Sequence, residues 1–173
     1  EQRNSMNEKD SFKMGLEHQL KTIEMLSSVL PTDVIYVSGN HDDDKLQYLS
    51  DAVDLYYRNN DNVTIDNNDH PRKYYEWGDN TLWYSHWDKV KDKDILSLMS
   101  MENTLRKYNY YFKWHIHHQL KQMYGNLIVE TLWSPAIPNE YEKKFWYIWD
   151  GKVSAKLFDK KNGKIGEFER KLT

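Results

Sequence analysis

The sequence predicts an α/β fold, a sheet of short strands flanked by helices, with its chemistry at the C-terminal ends of the strands. Three observations predict it. Up to Ile65, segments of helical period alternate with short apolar runs. Beyond Ile65 come several short runs rich in aromatic and β-branched residues, the composition that suits a pleated surface. Several of these runs end in histidine or another polar group, as strands do at the ligand-binding edge of an open sheet.

The elements follow in order. From Asp10 to Leu30, Phe12, Leu16, Leu20, Ile23, Leu26 and Leu30 recur at three- and four-residue steps, which predicts a helix closed by Pro31. Val34 to Ser38 reads as a buried strand. Asp44 to Asn59 reads as a second helix with Leu46, Leu49, Val53 and Tyr57 on one face, ended by the turn cluster Asn59-Asn60-Asp61-Asn62. Short strands are expected at Val63–Ile65, Lys73–Trp77 and Thr81–Ser85. A third helix is expected over Asp92–Tyr108, and a strand over Tyr110–Ile116. Later strands are expected at Asn126–Leu132, Phe145–Ile148 and Val153–Phe158. Lys160-Lys161-Asn162-Gly163 reads as a hairpin turn. No repeat, linker or low-complexity stretch interrupts the chain, and residues 1–173 are read as one domain.

Composition narrows the classes. The chain has 173 residues, 39% hydrophobic and 14% aromatic, enough to bury a core. No run approaches the roughly 20 apolar residues that span a bilayer, so no membrane partner is expected. The polar N-terminus has no signal-peptide pattern, and the default expectation is a cytoplasmic protein. Zero cysteines exclude disulfides and thiolate metal sites. A net charge of -3 gives no global basic field toward nucleic acid. A nuclease stays open, because bound cations can supply local positive charge.

Three polar sites follow apolar runs. Gly39-Asn40-His41-Asp42 follows Val34-Ile35-Tyr36, Ser85-His86 follows Leu82-Trp83-Tyr84, and His115-Ile116-His117-His118 follows Tyr110-Tyr111-Phe112-Lys113-Trp114. Neutral imidazoles and an amide oxygen are ligands for divalent metals. On extended backbone, His115 and His117 point to the same side, because the strand period is two.

This order resembles the last three motifs of the calcineurin-like metallophosphoesterase superfamily: Gly-Asn-His-Asp/Glu, a Ser/Thr/Gly-His site, and Gly-His-x-His. The stretches Leu132–Tyr141 and Ala155–Phe168 look like the tail of its phage-type members. The resemblance implies a partial metallophosphoesterase β-sandwich and hydrolysis of a phosphomonoester or phosphodiester by metal-activated water. It implies two divalent metal ions, Mn²⁺ first, with Fe, Zn, Ni or Mg as alternatives. It further implies Asn40, His86 and His115 as ligands of one ion and His117 as a ligand of the other. His41 would act as the acid toward the leaving oxygen, and Asp42 would orient it. The partner implied is a phosphate-ester substrate, nucleic acid among the possibilities.

Departures accompany the matches. The family's Asp-x-His and Gly-Asp-x-x-Asp motifs, which carry the bridging carboxylate, are absent from the sequence. The expectation is a C-terminal portion lacking the first strands, with a missing N-terminal segment as a partner. Trp114 and Trp87 stand where the family has glycine, and Trp83, Trp133 and Trp146 are read as glycine-like positions too. Seven tryptophans against seven glycines suggest that some are glycines read from a reassigned codon. A second alignment takes His117-His118 as the Gly-His counterpart, with Leu120 in place of the last histidine. Two other functions stay in view: a catalytically inert or split-enzyme fragment, and a nucleic-acid-binding module built on the aromatics and lysines. His18 and His70 are read as non-catalytic, and Lys160, Lys161 and Lys164 as a solvated hairpin.

Overall fold

The computed structural model describes residues 7–39, 43–86, 91–114, 120–132 and 151–172. The fold is mixed α/β, with three helices and several sheets among the described residues. The chain divides into two compact units, Glu1–Pro71 and Arg72–Thr173.

In the first unit, helix α1 (Glu8–Ser27) starts where the Asn7 side chain accepts a hydrogen bond from Asp10 N at 2.9 Å. That cap satisfies one of the orphan amides of the first turn. Strand β1 (Thr32–Ile35), helix α2 (Asp43–Tyr57) and strand β2 (Val63–Asp66) follow. The two strands pair in parallel, Thr32 opposite Val63 and Ile35 opposite Asp66, so α2 is the crossover of a βαβ unit. Alternate residues Val34, Tyr36, Val63 and Ile65 face Ile23, Leu16 and Leu20 of α1 and Val53 and Tyr57 of α2. The predicted apolar face of α2 is therefore its buried face. In α1 only Ile23 and Ser27 are buried, and the predicted face residues Phe12 and Leu26 are exposed. Polar bonds fix the packing: Tyr57 Oη donates to Leu20 O at 2.8 Å, and Tyr36 Oη to Gln19 Oε1 at 2.5 Å. Burial pushes the Tyr36 phenol up to about 12, so it stays a donor.

The second unit is built on a five-stranded sheet. Its strands are β3 (Arg72–Trp77), β4 (Asn80–Ser85), β5 (Tyr108–Lys113), β6 (Leu120–Tyr124) and β7 (Leu127–Thr131), in the order β3-β4-β5-β7-β6. β4, β5 and β7 run parallel in the centre, and β3 and β6 are antiparallel edges. Strands paired on both sides read as nearly continuous apolar runs. β4 and β5 have such runs at their centres, Leu82-Trp83-Tyr84 and Tyr110-Tyr111-Phe112, and are buried along almost their whole length.

Helix α3 (Ile95–Met101) covers one face, where Ile95 and Met99 meet Trp83, Tyr111, Leu127 and Val129. The antiparallel hairpin of β8 (Lys152–Asp159) and β9 (Gly163–Lys171) covers the other, with Phe158 against Leu82, Tyr110 and Phe112. Trp83 is 1% exposed, its Nε1 donates to Thr104 Oγ1 at 3.1 Å, and its ring stacks on Tyr74. This corrects the glycine-like reading of position 83, because the core is built around the indole.

The third helix is much shorter than predicted. A single 3₁₀ turn (Asp92–Asp94) leads into α3, which stops at Met101. Asn103 adopts φ 55, and the Thr104 amide (2.9 Å) and hydroxyl (3.1 Å) both turn back to Met99 O. A left-handed residue followed by capping of the last carbonyls ends a helix, whatever apolar period follows. β6 was not predicted, since Leu120, Lys121, Gln122 and Met123 are all exposed and carry no alternation. Lys164, read as solvated, is part of a partly buried ionic group described below. The predicted strand Phe145–Ile148 lies outside the described residues.

Two turns demand glycine. Gly78 (φ 57) is the first of the two residues linking β3 to β4, a position that favours glycine in primed hairpin turns. An added Cβ would lie 2.5 Å from Lys160 O. Gly163 (φ 76) ends the β8–β9 turn against the Tyr110 hydroxyl. Gly78→Ala is expected to destabilise the fold by more than about 1 kcal/mol, read as a lower urea midpoint at unchanged slope.

Candidate functional site

The parallel centre of the second sheet sets the site's geometry. Because β4, β5 and β7 point the same way, the residues after Ser85, Lys113 and Thr131 leave from one edge. Ser85 pairs with Lys113, so His86 comes opposite Trp114. Their rings lie 6.5 Å apart at 80°, an edge-to-face contact, and both residues are half-buried.

Strand alternation gives the two faces different chemistry at this edge. Leu82, Tyr84 and His86 on β4 share a face with Tyr110, Phe112 and Trp114 on β5, the strand or its next residue in each case. Tyr110 and Phe112 stack with planes 1° apart, and Tyr84 stacks on Phe112 at 5.7 Å. Burial pushes the Tyr84 hydroxyl up to about 12, so Tyr84 is uncharged at neutral pH.

On the α3 face, polar groups close the same edge. Ser85 Oγ and Tyr111 Oη share a buried hydrogen bond of 2.5 Å, and burial raises the Tyr111 phenol. Lys113 Nζ bonds Asp92 Oδ1 at 2.5 Å, and Arg72 bonds Glu102 at 2.9 Å.

On the hairpin face, Glu130 of β7 is buried and accepts from Lys156 Nζ at 2.5 Å, with Lys164 Nζ 3.9 Å away. Lys156 also donates to Glu167, and Lys164 donates to Glu167 at 2.6 Å. Burial alone would raise the Glu167 carboxyl, but the hydrogen bonds from Lys156 and Lys164 and their charges bring it down to about 2. For Lys164 burial alone would lower the ammonium, and its acidic neighbours Glu167 and Glu130 reverse that and raise it.

In the first unit, the chain runs from the end of β1 through Tyr36 and Gly39 toward Asn40, and α2 starts at Asp43. Chain order therefore puts Asn40-His41-Asp42 between a parallel strand's C-terminus and a helix N-terminus. Asn40, His41, Asp42, Trp87, His115 and His117 lie outside the described residues, so the structure places only His86 among the predicted ligands. An open groove of about 460 Å³ runs along α1 and β1, its lining including Ile23, Leu26, Val34, His18 and Asp33.

Among the described residues, no group of three or more histidine or acidic side chains is arranged to hold a metal ion. Of the ligands that the resemblance implies, only His86 is described, a half-buried imidazole at the sheet's C-terminal edge. The acidic groups Asp92 and Glu130 are committed to lysines. Sequence reading missed the stacked rings of Tyr84, Tyr110 and Phe112, although the period-two spacing of Tyr110 and Phe112 carries part of the pattern. No family model, curated protein or solved structure matches this chain.

Proposed function

We propose that this chain carries part of a metal-dependent phosphoesterase site of the calcineurin-like kind. One observation supports the reading above the others. His86 and Trp114, the residue immediately before His115-Ile116-His117, end neighbouring parallel strands in register. Two of the three motifs thus start from adjacent positions on one sheet edge, where α/β sheets bind ligands.

By the resemblance Asn40, His86, His115 and His117 would be ligands of divalent ions, Mn²⁺ being the first choice. Such ions lower the pKa of a water and offset charge on phosphoryl oxygens. His41 would donate a proton to the leaving oxygen of the ester, as a positioned imidazole can near neutral pH. Asp42 would hold His41 in the donating orientation.

A second reading has its own support. The sequence has no Asp-x-His to bridge two ions, which favours an inert or split-enzyme chain. Hydrolysis of bis-para-nitrophenyl phosphate by the purified chain with Mn²⁺ separates the two. The expected result is turnover that disappears on adding a chelator and in both His41→Ala and His86→Ala. Absence of turnover in the wild type, with the fold intact by circular dichroism, rejects the enzymatic reading.

A further inference from the structure

We propose that the outer face of the β8–β9 hairpin docks on an anionic lipid surface. The proposal is independent of the phosphoesterase reading. Three features of the hairpin carry it.

The first is an inverted pattern. A hairpin that covers a sheet ordinarily turns its apolar residues inward and its polar ones out. Here the face that carries Phe158 also carries Lys152, Lys156, Lys164, Glu167 and Glu169. These charged side chains are only 8 to 34% exposed, and they pair with one another and with Glu130. Strand alternation sends Val153, Leu157 and Phe168 to the opposite face, and Leu172 follows at the same step beyond β9. Val153 is 44% exposed, Leu157 48%, Phe168 66% and Leu172 39%. Ile165, the extra residue at the bulge, is 64% exposed.

The second is relief. At Gly166, where this face lacks a side chain, an added Cβ would lie 3.3 Å from Leu157 Cδ1, so Leu157 of the facing strand already fills the space. A docking helix needs a groove to receive its ridge of apolar anchors. The boundary of a bilayer receives aliphatic and phenyl groups without a matching shape.

The third is charge. Lys152–Lys171 holds seven basic and three acidic residues, a net charge of +4 in a chain of net -3. Glu167 and Glu169 are paired inward, and Asp159 is tied to the amides of Lys161 and Asn162 at the turn. Basic groups thus stand at both ends of the apolar stripe, Arg170 between Phe168 and Leu172, and Lys160 and Lys161 at the turn. A second copy seated on this face would bring like charges together. A nucleic acid would meet aliphatic chains and one phenyl ring on which to stack. Anionic headgroups match the basic ends, and the acyl boundary beneath them receives the stripe. The absence of a spanning run bears on crossing a bilayer, and a surface contact needs only one exposed face.

The test floats the full chain with phosphatidylcholine vesicles, with and without phosphatidylglycerol. The wild type is expected to bind the anionic vesicles about tenfold or more tightly, with the excess lost at high salt. Phe168→Ser and Ile165→Ser are each expected to weaken that binding about tenfold. Lys161→Glu and Arg170→Glu are each expected to do so by a similar factor. All four positions are exposed, and circular dichroism checks that each variant folds. The chain has no cysteine, so Phe168→Cys takes a single polarity-sensitive fluorophore. Its emission is expected to shift to the blue on anionic vesicles and to stay unchanged on phosphatidylcholine alone. No binding to anionic vesicles, equal binding to both kinds, or binding that survives in both Phe168→Ser and Ile165→Ser overturns the proposal. If the serine variants do not fold, the labelled chain decides, and an unshifted emission overturns it. A dimer seen by analytical ultracentrifugation and lost in Phe168→Ser would assign the face to a second copy and overturn it too.

Discussion

Trp83→Ala is expected to lower folding stability by about 4 kcal/mol, read from urea unfolding followed by circular dichroism. Trp83 is 1% exposed at the centre of the α3-side core, touching a cluster that includes Ile95, Met99 and Tyr111. Its removal leaves a large cavity between a sheet and a short helix, and a two-turn helix has little intrinsic stability with which to close it. The Thr104 hydroxyl would keep its own bond to Met99 O and lose only the donor from the indole. Cavity formation should therefore dominate, and Trp83→Phe should cost far less, about 1 to 2 kcal/mol. Equal losses in the two variants would show that the hydrogen bond, and not the packing, matters.

Glu130→Ala is expected to cost about 3 kcal/mol, because it leaves the largely buried Lys156 ammonium with too little negative charge nearby. The Lys156 side chain is 8% exposed and would keep only Glu167 as its counter-ion, while Lys164 competes for the same carboxylate. The double variant Glu130→Leu with Lys156→Met is expected to recover most of the loss, since apolar replacement of a buried pair is often neutral. A double variant as unstable as the single one would mean that shape at this position outweighs charge.

Acid acts on the same group through Glu167. Its folded carboxyl sits at about 2, against an ordinary value of 4.5. A depressed folded value contributes stability above the ordinary value, and the contribution is lost as pH falls from about 4.5 toward 2. Stability measured from pH 6 to pH 3 should fall at the acid end, and Glu167→Gln should flatten that part of the curve. Because Glu167 is partly exposed, the slope should also be reduced by added salt.

The mixed α/β character was legible because buried strands and amphipathic helices leave periodic traces. Val53 and Tyr57 of α2, and the run Leu82-Trp83-Tyr84, could be placed from pattern alone. The end of α3 was not legible, because Asn103 and Thr104 stop it by backbone conformation and capping within a stretch of favourable period. β6 was not legible either, since its residues sit on an edge and are exposed on both sides. The ionic group around Glu130 escaped because one partner each comes from β7 and β8 and two come from β9, and nothing local in the sequence links them. Of the candidate site, His86 was placed correctly at the end of a strand. The value of Trp114 as a ring beside it needed the β4–β5 register, which is a long-range property.

That register makes the strand a ruler. β4 follows the Gly78 turn, where Asp79 N bonds Lys160 O at 2.7 Å, and runs for six residues to Ser85. The distance is about 20 Å at the rise of an extended chain. An error of one residue at the turn would carry His86 to the opposite face of the sheet and exchange its indole neighbour for the polar α3 side. The chemistry proposed at one end is thus calibrated at the other. A variant that loses His86 function need not touch the edge where His86 stands.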